Sequence, residues 1–384
     1  MSASIYFDDE HQMLRETIRR FIREEVAPEA DGWEREGRVP RSIIERMGAL
    51  GLLGLTHPEE HGGGGLDRRA TVLLAEELGR STYGGFAITV LVHTEMASPH
   101  LARFGSDAQR RRYLPGVIAG NLLTAIAVTE PDVGSDVAAI QARALPDGDG
   151  FRLSGSKMFI TNGVHADLYI VAARTNPEVK PSRGITLFLI ERGTPGLEVS
   201  RSLDKMGWHS SDTAELSLQD CRVPASCVLG EVDRGFYAIM RNFQTERLAM
   251  AAMAIGECGA AIELTLRYVT TRQAFGGSLL QQQTIRQRLA MLDARVEAGR
   301  QLVHHAAWLD AQGHDAVREV SMAKAYCGEL VNEVMYHCLQ FHGGFGYMRE
   351  ATIERMTRDA RVHSIGGGAT EVMLEEVAKR FPID

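Results

Sequence analysis

The chain has 384 residues, which is enough for two or three domains with large hydrophobic cores. Hydrophobic residues make up 44% and charged residues 24%, values that are ordinary for a soluble globular protein. The net charge of −8 argues against a nucleic-acid-binding surface, although it leaves room for a local basic patch that binds a phosphorylated ligand.

Cysteine usage and the N-terminus both indicate a cytoplasmic protein. The cysteines are scattered, without a Cys-x-x-Cys pair, as reduced and buried thiols would be: Cys221, Cys227, Cys258, Cys327 and Cys338. The first residues show neither an apolar signal core nor a transit pattern, because acidic residues follow at positions 8–10. No apolar run approaches the roughly 20 residues that cross a membrane, so we expect no membrane insertion.

The periodicity of apolar residues changes twice along the chain. Helical spacing predicts helices over 7–26, 42–53, 69–78 and 86–104. Short β-rich runs separated by turn residues follow at 125–128, 151–154, 168–173, 185–190 and 216–218. Long helical segments return at 236–272, 280–312, 317–342 and 370–380.

This order predicts an α+β protein of three domains. Residues 1–121 form an N-terminal α-helical domain, residues 122–232 a middle β-barrel-like domain, and residues 233–384 a C-terminal four-helix bundle. No strand leads into a Gly-x-Gly-x-x-Gly turn, so a Rossmann nucleotide site is not expected. The histidines lack metal-ligand spacing and no metal site is predicted. The acidic pair Glu76 and Glu77 is interpreted as a solvated helix face.

Two polar stretches follow apolar runs in the middle domain. Residues 129–136 read Thr-Glu-Pro-Asp-Val-Gly-Ser-Asp, and they turn the chain just past a strand while exposing Thr129 and Ser135. Residues 159–163 add Phe159, Thr161 and an Asn-Gly pair that is typical of a hairpin. Each stretch alone is equally compatible with an ordinary turn; together they indicate a site for a planar, polar ligand.

These two stretches resemble the flavin-binding strands of the acyl-CoA dehydrogenase family. The resemblance extends over nearly the whole chain from Phe7, and further segments match the family in order: 205–216, 272–276 with Gln283, 340–344, and 358–361. It implies the acyl-CoA dehydrogenase fold, FAD as cofactor, and dehydrogenation of an acyl-CoA thioester to a trans-2-enoyl-CoA.

The resemblance also predicts where the catalytic base lies. In many members a glutamate stands in the last loop, where this chain has Gly367. The chain is most similar to the isovaleryl-CoA and long-chain type, in which the base lies on the first long bundle helix in a Glu-Arg pair, here Glu246 and Arg247. Glu246 borders an apolar stripe formed by Phe243 and Met250, and such surroundings raise a carboxyl pKa.

Cofactor and substrate residues are implied by the matching positions. The predicted FAD-binding residues are Ile126, Val128, Thr129, Ser135, Phe159, Thr161, Arg272, Phe275, Gln283, Gln340, Gly343, Gly344, Ala369, Thr370 and Glu371. The predicted substrate-binding residues are Ser135, Ser182, Arg183, Tyr237, Gln244, Arg247, Gly367 and Gly368, with Glu246 and Gly367 catalytic. Ala369 replaces a threonine usual in the family, which puts that contact in doubt.

The resemblance further implies an electron-transfer flavoprotein as acceptor and a homotetramer built as a dimer of dimers. In such an assembly a neighbouring subunit supplies the segments at 272–283 and 340–344 to the flavin. The alternatives are an acyl-CoA oxidase that uses oxygen, and a non-catalytic subunit that binds flavin or acyl-CoA. The acyl group is expected to be branched or of medium to long chain length.

Overall fold

The computed structural model describes residues 5–382 and has a helical region, a β region and a second helical region along the chain. The first region contains α1 (Asp9–Phe21), α2 (Ala30–Glu36), α3 (Arg41–Ala49), α4 (Arg68–Arg80), α5 (Gly84–Leu91), α6 (Ser98–Phe104) and α7 (Asp107–Ile118). A π-helical segment, Val92–Ala97, joins α5 to α6 without a break. Local sequence explains the helix starts: Asp8 caps α1, Asp67 caps α4, and Ser106 with Gln109 forms a capping box for α7.

The β region is one mixed sheet whose strands are β1 (Thr124–Ala127), β2 (Arg143–Asp147), β3 (Gly150–Thr161), β4 (Leu168–Arg174), β5 (Ile185–Glu191), β6 (Leu197–Ser202), β7 (Thr213–Pro224) and β8 (Val228–Leu229). The strand order is β6-β7-β3-β2-β4-β5-β8, and β1 pairs with β4 in parallel. β4 and β5 are buried along almost their whole length, which explains their continuous apolar sequence.

The last region is built around the long helix α8 (Gly235–Thr271). It is followed by a small hairpin, β9 (Gln273–Ala274) and β10 (Gly277–Ser278), and by α9 (Gln283–Ala311), α10 (Val317–Gly346), α11 (Thr352–Ala360) and α12 (Thr370–Ala378). α8 is long and apolar enough by composition to cross a membrane, and 83% of its most apolar window is buried inside the fold. It lies close to α4, since a Cβ atom added at Gly256 would be 2.0 Å from the Glu76 carbonyl oxygen.

Several expectations about local structure were wrong. Glu76 and Glu77 are 6% and 2% exposed, not solvated, because Glu76 pairs with Arg300 and His304 and Glu77 pairs with Arg19. Asn162 does adopt a left-handed conformation, but no hairpin follows, since β3 pairs with β2 and β7 rather than β4. The helices α7 and α11 and the strands β2 and β6 were missed, and β3 and β7 are much longer than predicted.

Candidate active site

Glu246 lies inside the protein, at the start of the fourth turn of α8. Its side chain is 7% exposed, and the Asn242 amide, one turn earlier, donates to its Oε1 over 3.3 Å. Burial raises the pKa of the Glu246 carboxyl to about 7, although the Asn242 hydrogen bond and the charge of Arg247 lower it. The apolar surroundings expected from the sequence are therefore present, and they give Glu246 a pKa suited to a general base near neutral pH.

The last loop, with its glycines at 366–368, lies beside this turn of α8. Gly367 and Gly368 have φ angles of +65° and +100°, which side chains other than glycine rarely adopt. A Cβ atom added at Gly367 would be 3.3 Å from Met250, and one at Gly368 would be 3.6 Å from the Arg247 Nε. The loop therefore brings backbone groups, not side chains, towards the Glu246 side of the helix.

Two buried cations hold or border this loop. Lys324 of α10 is 1% exposed and donates to the carbonyl oxygens of His363 and Gly368 over 2.6 and 2.7 Å. Burial, together with the charge of Arg247, lowers the pKa of Lys324 to about 8. The Arg247 Nε is buried and has no hydrogen-bond partner within residues 5–382. Arg247 forms no ion pair within 4 Å in the described residues, although the charges of Glu246 and Glu376 act on it.

The predicted flavin residues of the middle region come together at one end of the sheet. The Met158 amide donates to the Thr129 carbonyl oxygen over 2.9 Å, which joins the loop after β1 to β3. β3 bulges between Lys157 and Ile160, and Phe159 in the bulge has a φ angle of +60° and is 65% exposed. The aromatic face of Phe159 is thus presented to solvent next to Thr129, and Thr161 ends the same strand.

A buried ion pair fixes the loop that carries Thr129 and Ser135. Lys157, fully buried, donates to Glu130 Oε1 over 2.8 Å and to the Val128 carbonyl oxygen over 3.0 Å. Glu130 in turn accepts from the amides of residues 141 and 142. The carboxylate therefore joins the Lys157 side chain to two backbone amides near the exposed Ser135 turn. Burial lowers the pKa of Lys157 to about 8, although the charge and hydrogen bond of Glu130 raise it.

The other predicted flavin residues lie at one end of the bundle. Phe275 is 94% exposed at the tip of the β9–β10 hairpin, where residues 275 and 276 both have positive φ angles. Tyr268 stacks on His342 and donates to its carbonyl oxygen, which brings Arg272 at the end of α8 near the segment with Gln340, Gly343 and Gly344. Within the described part of one chain, no hydrogen bond or ion pair joins this group, which includes Gln283, to the Thr129 group.

The remaining cofactor positions begin α12. Thr370 donates to Glu329 over 2.7 Å, and Glu371 is exposed in the first turn. Ala369 occupies the N-cap position and supplies no side-chain cap to the helix. The replacement of threonine at this position therefore removes a hydroxyl from the helix N-terminus.

A basic cleft lies along α8 beside the Glu246 turn. It has a volume of about 640 Å³, and its wall includes both Gln244 and Arg247 of the predicted substrate set. The other basic residues of the wall are Arg68, Arg103, Arg241 and Arg380. Asp310 pairs with Arg68 and Glu376 with Arg380, which leaves a positive excess. The Gln244 Oε1 is buried without a hydrogen-bond partner in the described residues, as expected of a ligand contact.

Two further substrate predictions lie near the beginning of α8. Ser182 and Arg183 belong to a short 3-10 turn between β4 and β5 that packs against this helix. Tyr237 is half-exposed, and the Arg234 guanidinium lies 4.5 Å above its ring.

Sequence reasoning missed Asn242, Lys157, Lys324 and the arginines of the basic cleft other than Arg247. One sequence feature could have indicated Lys324, since it is the only charged residue in the run 320–328, where most of the other residues are apolar or small. Asn242 left none, because an amide one turn before a glutamate is common on any helix surface. Among residues 5–382 no cluster of His, Cys, Asp or Glu has the arrangement needed to hold a metal ion.

Comparison with known proteins places this geometry in a family. Profiles described as the N-terminal, middle and C-terminal domains of acyl-CoA dehydrogenase match residues 8–121, 125–221 and 233–381 in order. The chain belongs to the acyl-CoA dehydrogenase family. The long-chain specific acyl-CoA dehydrogenase of Mus musculus is 40% identical over 379 residues, which cover 98% of this chain and 88% of that protein. The isovaleryl-CoA dehydrogenase of Pongo abelii is 35% identical over 379 residues, which cover 98% of this chain and 89% of that protein.

Solved structures agree with this assignment. The crystal structure of an acyl-CoA dehydrogenase from Geobacillus kaustophilus is 39% identical, with a TM-score of 0.96 and coverage of 99% of this chain and 100% of that chain. The FAD complex of PigA is 28% identical, with a TM-score of 0.94 and coverage of 99% of both chains. FAD is the cofactor of the family. The exposed Phe159 face between Thr129 and Thr161 is a suitable surface for the flat ring of this cofactor.

We predict that Lys157→Met weakens both the fold and FAD retention. The substitution leaves the buried Glu130 carboxylate without its cation, which costs about 3–5 kcal/mol of unfolding free energy, and it loosens the loop with Thr129 and Ser135. Urea unfolding and the FAD content per chain after gel filtration measure the two effects. Lys379→Met, which removes an exposed lysine, is the matched control and should change neither. A Lys157→Met protein with wild-type stability and FAD content would contradict this role of the ion pair.

Proposed function

We propose that the protein is an FAD-dependent acyl-CoA dehydrogenase in which Glu246 removes the α-proton of the thioester. The observation that carries this proposal is the buried Glu246 carboxyl, whose pKa is raised to about 7. It lies beside a loop in which position 367 is a glycine and therefore has no side chain to act as a base. The product is a trans-2-enoyl-CoA. Bound FAD would supply flavin N5 as the acceptor for the β-hydrogen, which leaves as hydride.

The chain supplies the other requirements of α-proton removal. The Gly367 N–H is the proposed donor to the thioester oxygen, where negative charge develops as the proton leaves. Lys324 fixes the loop that carries this donor through its bond to the Gly368 carbonyl oxygen. Arg247 and Lys324 add positive charge close to the loop, and the buried setting strengthens their effect on developing negative charge.

The basic cleft supports CoA as the carrier of the acyl group. Phosphate groups are bound well by guanidinium groups, and the cleft runs along α8 from the Glu246 turn with a positive excess on its walls. We therefore assign Gln244 and Arg247, with Arg241, to the CoA part of the substrate, while Ser182, Arg183 and Tyr237 border the same helix.

The proposed acyl group is branched or of medium to long chain length. Met96 of the π-helical segment and Met250 of α8 are buried apolar side chains that adapt to different chains, and Gly367 leaves room near Cα and Cβ. Relatives named for long-chain acyl-CoA and for isovaleryl-CoA support both classes.

The proposed electron acceptor is an electron-transfer flavoprotein. A solved structure named for the electron transferring flavoprotein of Acidaminococcus fermentans is similar to this chain, with a TM-score of 0.96 and 33% identity. Oxygen consumption without another acceptor would instead indicate an acyl-CoA oxidase, and a flavin that no acyl-CoA bleaches would indicate a non-catalytic subunit.

We also propose a cytoplasmic homotetramer arranged as a dimer of dimers. The exposed aromatic tip at Phe275 and the exposed Phe345 and Tyr347 near Gly344 support a subunit contact at this end of the bundle. The cysteines are all free thiols, and each is buried except Cys227, which is half-buried; this supports a reducing compartment.

Replacing Glu246 by glutamine tests the base directly. We expect anaerobic bleaching of the flavin near 450 nm by acyl-CoAs to slow by roughly 10²–10⁴-fold, because the amide cannot accept the α-proton. In the wild type the bleaching rate should rise with pH through about 7, since only the ionised Glu246 acts as a base. A panel of straight and branched acyl-CoAs ranks the substrates.

The control is Glu257→Gln, which replaces another buried carboxyl on α8 and should leave flavin bleaching normal. Equal bleaching in wild type and Glu246→Gln would refute the assignment.

Replacing Arg241 by glutamine tests the basic cleft. The Arg241 side chain is exposed and forms no ion pair in the described residues, so the fold should be unaffected. We expect KM for an acyl-CoA to rise about 5- to 10-fold at low salt, the loss of about 1 kcal/mol or slightly more of phosphate binding, with kcat unchanged. The corresponding acyl-pantetheine, which lacks the phosphates of CoA, should show the same KM with both proteins. A KM increase that persists with acyl-pantetheine would assign Arg241 another role.

Replacing Phe275 by aspartate tests the shared subunit contact. A charge at this tip would be buried without a partner in an assembly, so we expect a smaller oligomer by light scattering and a lower FAD content. Met13→Asp changes an exposed apolar side chain on α1 and serves as the control. An unchanged tetramer with full FAD content would exclude the hairpin tip from the interface.

A further inference from the structure

Asn242 is a fully buried residue of α8 whose side-chain amide forms hydrogen bonds to two other helical segments and to Glu246 of the same helix. Its Nδ2 is 3.1 Å from the Glu95 carbonyl oxygen, 3.0 Å from the Met96 carbonyl oxygen and 3.3 Å from Glu246 Oε1. Its Oδ1 accepts from Arg103 Nη1 over 3.3 Å. One side chain therefore connects α6, the π-helical segment and the proposed base.

The partners determine which way this amide points. A guanidinium only donates hydrogen bonds and a backbone carbonyl only accepts them, so Arg103 selects Oδ1 while Glu95 and Met96 select Nδ2. A flipped amide would place its oxygen against both carbonyls and its donor against Arg103. The orientation that directs the N–H group of Asn242 towards Glu246 is thus the one that the surrounding groups enforce.

The π-helical segment Val92–Ala97 explains why the carbonyls are in place. π-Helical turns are rare, and they occur often at functional sites, where they displace backbone groups from the regular helical pattern. Here the turn contains the two carbonyls that anchor Asn242. The Glu95 carboxylate faces away from this contact, because it accepts from the Thr71 hydroxyl over 2.9 Å.

We propose that Asn242 is a positioning residue that, oriented by Arg103, holds the Glu246 carboxylate for proton removal and favours its ionised form. The inference rests on the proposed role of Glu246. The charged group that acts directly on this carboxylate is Arg247 on the same helix. Arg103 on α6 reaches it through Asn242, and Lys324 on α10 bonds the last loop. Two groups lower the pKa of the Glu246 carboxyl directly, and Asn242 is the one that does so through a hydrogen bond.

The test is the pH dependence of the limiting rate of anaerobic flavin bleaching in Asn242→Leu. We expect a rate about 10- to 100-fold lower, because the base loses its fixed geometry, and a rate profile shifted to higher pH, because the ionised carboxylate loses a donor. KM for the acyl-CoA should change little. Asn332→Leu removes an amide of α10 that bonds only the Gly328 carbonyl oxygen, and it should leave the profile in place.

Arg103→Met keeps the inference testable if Asn242→Leu does not fold. Arg103 is only half-buried, so this variant should fold, and it should shift the profile in the same direction by a smaller amount. Folded, flavin-loaded variants with the wild-type pH profile would overturn the inference, as would a rate loss without a shift in Asn242→Leu. Full bleaching by Glu246→Gln would instead refute the proposed base itself.

Discussion

Placing an ionisable carboxyl inside a helix bundle costs several kcal/mol of solvation free energy, and this structure accepts that cost at Glu246. The residue lies on a helix whose next turns, residues 249–256, are buried and include four alanines and a glycine, so the neighbouring helices approach closely. Close packing prevents the side chain from reaching water, which is why its pKa stays near 7 rather than near 4.5. The burial of Glu246 and its raised pKa therefore have the same cause, the tight contact of α8 with its neighbours.

The charges around the last loop complement that carboxyl. Lys324 satisfies its ammonium group with carbonyl oxygens rather than with an anion, and the buried Arg247 Nε lacks a hydrogen-bond partner in the described residues. Burial lowers the pKa of both groups. A negative charge that develops at the proposed thioester position would be stabilised by both cations. The arrangement thus favours an enolate-like species over the neutral ground state, which is what a dehydrogenase of this type requires.

Sequence patterns were informative where a residue's environment follows from its neighbours in the chain. The apolar flanks of Glu246 predicted its burial, and the motif around Thr129 marked the end of the strand correctly. The burial of Glu76 and Glu77 could not be read in this way, because their cations, Arg19 and Arg300, lie far away in sequence on other helices. Lys157 was missed for the same reason, since its partner Glu130 is brought close only when the loop after β1 lies against β3. The Asn242 contacts depend on a π-helical turn that no periodicity predicts.

The glycine at position 367 in the last loop and the glutamate at position 246 on α8 depend on each other geometrically. A side chain at Gly367 would require a left-handed backbone and would contact Met250, which packs one turn after Glu246. With the carboxyl on the helix, the loop needs to present only the Gly367 N–H group. The proposed base then lies on a long helix, and Lys324 fixes the loop that carries the proposed donor through hydrogen bonds to the His363 and Gly368 carbonyl oxygens. If Glu246 is the base, its position depends on the contacts by which Asn242 connects α8 to α6 and the π-helical segment.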